Sequence, residues 1–88
     1  MANYVISYDL IEDKNYEDLI EKIKSLGSWA KPLESFWLLV SNSSASEIRD
    51  TLKGAVDKDD KIIVIELGDD WATYNISQKV TDWMKNNI

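Results

Sequence analysis

The chain lacks the two side chains on which much enzyme chemistry depends. It contains no cysteine and no histidine, and only one proline and three glycines. Without cysteine there is no disulfide, zinc finger or thiol catalysis. Without histidine, the usual base of a Ser-His-Asp or Cys-His site and the commonest transition-metal ligand are missing. Any chemistry therefore depends on carboxylates, hydroxyls, tyrosines, lysines or the lone Arg49.

Long hydrophobic runs are also absent. No apolar stretch approaches the roughly 20 residues that a membrane-spanning helix needs. A β-strand pattern already begins at Tyr4, which is not the start of a signal peptide. We expect a cytoplasmic protein with no membrane partner.

Acidic residues outnumber basic ones, 16 to 10, and the net charge is −6. This balance argues against strong electrostatic binding of nucleic acid by the isolated chain, because that affinity comes mainly from neutralising phosphates. It suits a cation site or a basic protein partner. The 88 residues, of which 44% are hydrophobic, predict one domain with a single modest core.

The stretch from Tyr4 to Leu10 predicts the first and central strand. It is rich in β-formers and ends on a carboxylate, Asp9. Tyr4 and Tyr8 share one face with Ile6, which predicts core packing for both tyrosines.

The remaining elements follow from periodicity and capping signals. Apolar residues at helical spacing predict a helix from Tyr16 to Leu26, with Asn15 as N-cap and Gly27 as C-cap. Ser44 followed by Glu47 predicts a capping box for a second helix. Between Ser28 and Ser41 the sequence predicts a bent or doubled strand, with a bulge or kink at Pro32 and a clear strand from Leu33 to Ser41. If the doubled strand is counted as two, Lys61–Leu67 is the fourth strand and Trp71–Ile76 a short fifth one. A last helix is predicted from Ser77 to about Asn87.

The order of these elements predicts an α+β domain with the ferredoxin-like βαββαβ plan. One antiparallel sheet would carry both early helices on one face. We predict a single domain over residues 1–88, in which residues 71–88 form a C-terminal extension made of a strand and a helix.

Apolar residues line both faces of the strands at Leu33–Ser41 and Lys61–Leu67. A sheet with one face in water alternates instead, so we expect the second face to be covered as well. Either the C-terminal helix or a second copy of the chain can cover it. We favour a symmetric homodimer, with each tail reaching onto its partner.

The chain resembles the small CRISPR-associated Cas-two family and its SinR-like relatives over about its first three quarters. The likeness lies in the strand ending Tyr8-Asp9-Leu10, the helix closing on Gly27, the segment Leu33–Trp37, and Asp60 leading into Ile62–Leu67. The resemblance implies a ferredoxin-like dimer. It also implies a metal-dependent nuclease acting on RNA or DNA, or an adaptor without catalysis of its own. The acidic loop at Glu12 and Asp13 departs from the basic residues usual in that family.

The resemblance assigns Asp9 as the catalytic residue and metal ligand, meeting its mate across the dimer axis. Mg²⁺ or Mn²⁺ is the expected cofactor, since hard cations take carboxylate oxygens. Ser7, Tyr8, Ser35 and Phe36 would be its neighbours. The alternative is that Asp9 only caps a turn at the end of its strand.

Two further features have both a structural and a functional interpretation. The four tryptophans suit a core and a dimer interface better than a nucleic-acid stacking surface, given the acidic charge. The acidic groups at Asp57–Asp60 and Glu66–Asp70 lack the spacing of an EF-hand and are expected to be solvated turns. A surface for a basic protein partner is the alternative, within a non-catalytic interaction module.

Overall fold

A computed structural model describes residues 1–10 and 16–88 of the chain. The elements in order are β1 (Ala2–Asp9), α1 (Glu17–Ser25), β2 (Ser28–Leu33), β3 (Phe36–Ser41), α2 (Ala45–Lys53), β4 (Lys61–Glu66) and α3 (Gln78–Asn87). None of the helices in these ranges is long and apolar enough to span a membrane. The fold is a mixed α+β domain, as the sequence predicts.

The four strands form one sheet in the order β2-β3-β1-β4, and every neighbouring pair is antiparallel. β1 pairs with β3 on one side and with β4 on the other. The prediction that the first strand is central is confirmed. β2 and β4 are the two edges of the sheet.

Helices α1 and α2 cover one face of the sheet and enclose the main core. Its buried members are Tyr4, Ile6, Leu19, Ile23, Trp37, Leu39, Ile48 and Leu52. The Tyr4 hydroxyl donates to the carbonyl of Ser43 at 2.8 Å, and the Tyr8 hydroxyl accepts from the Trp37 indole at 3.1 Å. Both tyrosines pack in the core, as predicted, and their hydroxyls form hydrogen bonds within the chain.

The two early helices begin differently. α2 has the predicted capping box, in which Ser44 Oγ accepts from the Glu47 amide and Glu47 Oε1 accepts from the Ser44 amide. The hydrogen bonds from Ser44 lower the pKa of Glu47 below its usual value. α1 starts at Glu17 with Tyr16 as its N-cap residue. The predicted cap, Asn15, lies outside the described residues.

The boundary between β2 and β3 differs from the predicted one. Leu33 ends β2 instead of opening the next strand, and β3 begins at Phe36. The hairpin turn lies at the polar residues Glu34 and Ser35 and places Ser35 in the left-handed region, at φ 54°, so the strand predicted from Leu33 to Ser41 is interrupted there. The irregularity predicted at Pro32 is confirmed, because the β2–β3 register shifts between Ala30 and Leu33.

The predicted fifth strand at Trp71–Ile76 is wrong. This segment is irregular and pairs with no strand of the described chain. Asn75 has φ 60°, which is incompatible with extended backbone, and Trp71 packs against the face of the sheet instead of its edge. The helix that follows is confirmed: α3 begins at Gln78, and Ser77 Oγ accepts from the Val80 amide.

Candidate functional site

The second face of the sheet, away from α1 and α2, is partly covered by the chain's own C-terminal segment. Met84 of α3 packs with Val5 of β1 and Leu38 of β3 in a second buried cluster. Trp83 fixes the helix over the β2 side of the sheet, since its indole donates to Ser28 Oγ at 3.0 Å. The prediction of a covered second face is confirmed for this part, and its cover is intramolecular.

The β4 side of the same face is left open. Ile63 and Ile65 are 54% and 49% exposed, although they lie in the middle of a regular strand. Ile65 pairs with Val5 and Ile63 pairs with Ser7, so all four residues point to this face. We call Ile63, Ile65 and the adjacent Ser7 the β4 patch. An exposed apolar group in mid-strand, next to a buried cluster, is typical of an interaction surface.

Asp9 lies at one end of this patch. It is exposed, it shares a face with Ser7, and Lys61 stands opposite it in the β1–β4 register. Among residues 1–10 and 16–88, no group of three or more carboxylates that could hold a metal ion is found. Within these ranges Asp9 therefore does not belong to a cluster of three or more metal-ligating side chains.

The neighbours predicted for Asp9 are only partly assembled. Ser7 Oγ donates to the carbonyl of Ser35 at 3.0 Å, and Phe36 pairs with Ser7, so these three lie together on the face that carries Asp9. Ser35 takes part through its backbone carbonyl. Tyr8 points to the opposite face, where its hydroxyl meets Trp37. Adjacent strand residues face opposite ways, so the Tyr8 side chain does not point toward Asp9. A role for Tyr8 as a neighbour of the site stays a prediction.

Three of the four tryptophans pack within the protein. Trp37 belongs to the main core, while Trp71 and Trp83 pack against the second cluster. Trp29, on the edge strand β2, is 39% exposed. The prediction that tryptophans form core is confirmed for these three. Their contribution to a dimer interface stays a prediction.

The acidic group at Asp57–Asp60 forms a turn. The Asp60 carboxylate accepts from the Asp57 amide at 2.8 Å and from the Tyr16 hydroxyl at 3.1 Å. These bonds tie the loop before β4 to the start of α1. They support the structural interpretation of this acidic group.

An apolar groove lies between the sheet and residues 67–77, with a volume of about 410 Å³. Leu33 and Tyr74 line it, and Tyr74 is 93% exposed. The sequence pattern does not reveal this groove, since it predicts Leu33 within a longer strand and Tyr74 within a paired one.

No family model matches the sequence, and no solved structure shows a significant match to the fold.

Proposed function

We propose that the chain is a homodimeric interaction module of the Cas-two and SinR-like kind, in which two copies meet through the β4 patch. The observation that carries this proposal is the exposure of Ile63 and Ile65 on a sheet face whose other half is buried. The module would act by presenting surfaces to a protein partner, without catalysis of its own.

The topology supports the ferredoxin-like part of this proposal. Each helix connects two strands that have a third strand between them: α1 joins β1 to β2 around β3, and α2 joins β3 to β4 around β1. Each of these units is a split βαβ motif, and ferredoxin-like domains consist of two such motifs.

The composition of the patch supports a symmetric partner. Burying the exposed half of an isoleucine side chain contributes about 1 kcal/mol to the free energy of association. In a two-fold symmetric dimer each residue makes this contribution twice, once from each copy. The end of the patch carries one carboxylate and one ammonium group, on Asp9 and Lys61. Such a pair is self-complementary, because each charge can face its opposite on the other copy.

The dimer is tested by Ile65→Lys. A lysine in the middle of the patch would have to be desolvated against its symmetry mate, so we expect the dimer to weaken at least about tenfold. Sedimentation equilibrium over a wide range of protein concentrations measures this change. Thr51→Lys, which adds the same charge on the exposed side of α2, is the matched control and should leave the dimer intact.

Two results would contradict the dimer. One is a wild-type chain that stays monomeric up to millimolar concentration. The other is a dimer that Ile65→Lys and Thr51→Lys affect equally. Circular dichroism of both variants shows whether the fold is retained.

A second candidate function is a metal-dependent phosphodiesterase, which is favoured by the position of Asp9 on the same face as the patch. The two Asp9 carboxylates would come together only if the two-fold axis of the dimer passes beside Asp9 and Lys61, so that Ile63 and Ile65 pack on either side of the axis. Mg²⁺ suits so sparse a donor set, because it retains several waters and is often held by one or two carboxylates and substrate phosphates. A bound ion would supply a hydroxide nucleophile and stabilise phosphate charge.

Asp9→Ala tests this second candidate. We expect Mg²⁺-dependent cleavage of single-stranded RNA or duplex DNA by the wild-type dimer to fall to background in the variant, because the ion loses its protein ligands. The dimer should persist, since Asp9 is at the end of the patch. Asp59→Ala, which removes an exposed carboxylate from the loop before β4, should cleave normally. Equal cleavage by Asp9→Ala and wild type would remove Asp9 from the mechanism.

A further inference from the structure

A second groove runs along the free edge of β2, at the opposite end of the sheet from the β4 patch. Its volume is about 520 Å³, within the range of ligand-binding sites. The residues that line it come from β2 and α3: Trp29, Ala30, Lys31, Lys79, Val80 and Trp83. We call it the Trp29–Trp83 groove.

Positive charge converges on this groove although the chain is acidic overall. Lys31 and Lys79 line it, and Lys24 of α1 places its ammonium group 5.0 Å from the centre of the Trp29 ring. All three lysines are exposed, and within the described part of the chain none of them forms an ion pair with a carboxylate. In a protein of net charge −6, three such cations on one edge favour an anionic occupant.

The edge strand itself offers backbone groups. β2 pairs only with β3 among the described strands, so its other side offers backbone amides and carbonyls, most regularly over Ser28–Ala30 and without an amide at Pro32. Lys31 within the strand opposes pairing with a second β2, because the two lysines would repel. The same charge attracts a strand that carries carboxylates. The edge is thus selective for an acidic strand.

We propose that the Trp29–Trp83 groove binds an extended acidic peptide, which adds to β2 as a fifth strand. Backbone hydrogen bonds to the edge would supply affinity, as in other cases of strand addition. Carboxylates of the peptide would pair with Lys24, Lys31 and Lys79. Its apolar side chains would pack in the groove against Trp29 and Trp83. The site is separate from the β4 patch and does not depend on the dimer.

The contacts of the tryptophans favour a peptide over single-stranded nucleic acid. Bases stack on open aromatic faces. The Trp29 ring already contacts Trp37, at a centroid distance of 5.2 Å and a tilt of 58°, and Lys24 lies over it. Trp83 is held by its bond to Ser28. Because both rings already make contacts within the protein, they are better suited to pack against aliphatic side chains than to insert between bases.

The experiment uses the full chain and a blocked peptide in which pairs of glutamates alternate with pairs of valines. This pattern gives each face of an added strand both a carboxylate and an apolar side chain, as the opposite faces that carry Trp29 and Trp83 require. Tryptophan fluorescence follows the titration, and amide chemical shifts locate the site. We expect saturable binding with shifts confined to Ser28–Leu33 and the start of α3. Each exposed charge pair contributes about 0.5 kcal/mol, so the Lys31→Glu and Lys79→Glu double variant, which removes two pairs, should bind about fivefold more weakly. Lys53→Glu, on α2, is the matched control and should bind like wild type.

Four further arms make the proposal falsifiable. A peptide with lysine in place of glutamate should not bind, and an acidic peptide with N-methylated backbone should bind poorly. Equal binding of either would overturn strand addition by an acidic peptide. Tighter binding of oligothymidylate at the same residues would overturn it in favour of nucleic acid. Ile65→Lys should bind the peptide normally, so failure of the dimer and failure of this site are distinguishable.

Discussion

Replacing Gly27 with alanine is expected to destabilise the protein by about 3 kcal/mol or more, one of the largest effects of any single methyl group in this chain. A Cβ at this position would lie 2.0 Å from the carbonyl oxygen of Val40 and 3.1 Å from its carbonyl carbon. Val40 cannot easily retreat, because β3 is hydrogen-bonded on both sides: Val40 pairs with Asn3 of β1 and with Ser28 of β2. The clash must therefore be relieved by separating α1 and β2 from the sheet.

Thermal and urea unfolding measure this effect. In a domain of this size, 3 kcal/mol corresponds to a fall in Tm of about 12 °C or more. Gly68→Ala is the matched control, because no atom lies within 4 Å of the position that its Cβ would take and no glycine in the described chain has positive φ. The control should be neutral or stabilising by up to about 1 kcal/mol. Similar stabilities for the two variants would show that the chain around Gly27 relaxes freely.

Gly27 also illustrates what sequence can and cannot reveal about the fold. Its position at the end of α1 is predicted correctly, but its role as the C-cap residue is not. The cap residue is Leu26, in right-handed conformation, and glycine is required because a β-strand passes beside it. Local patterns report the conformation of their own segment. They do not report which distant backbone approaches it.

The errors in strand assignment have the same origin. The capping box at Ser44 is local, and the sequence predicts it correctly. The turn at Ser35 and the irregular path of residues 71–76 depend on one backbone dihedral each, at Ser35 and Asn75, that neither residue type demands. The sequence prediction therefore extends one strand through the turn at Glu34 and Ser35 and adds another strand that does not form.

The candidate sites are predictable to different degrees. Asp9 and the apolar residues of β4 stand out because they sit on regular strands, where register fixes their shared face. Lys24, Lys31 and Lys79 carry no such signal. They come from three elements that are distant in sequence, and each looks like an ordinary solvated lysine until the fold brings them to one edge.

The second large effect is expected from Met84→Asp, which should release α3 from the sheet. Met84 is 7% exposed and packs with Val5 and Leu38. Loss of the methionine side chain together with burial of a carboxylate should destabilise the docking of α3 by about 3 kcal/mol or more. Met84 is the only buried residue of this short helix, so the remaining contacts should not hold α3 on the sheet. The main core lies on the opposite face and shares no buried residue with this cluster, so it should remain folded.

Hydrogen exchange separates these two regions. We expect the amides of α3 to lose protection in Met84→Asp while those of β1 and α1 keep it. Asn86→Asp adds the same charge at an exposed position of the same helix and should leave α3 protected.

Release of α3 also uncovers Val5 and Leu38, which lie beside the β4 patch and would enlarge it. Self-association of Met84→Asp should therefore rise with concentration, and Ile65→Lys should suppress that rise. Global unfolding of Met84→Asp would instead show that the two faces of the sheet fold as one unit.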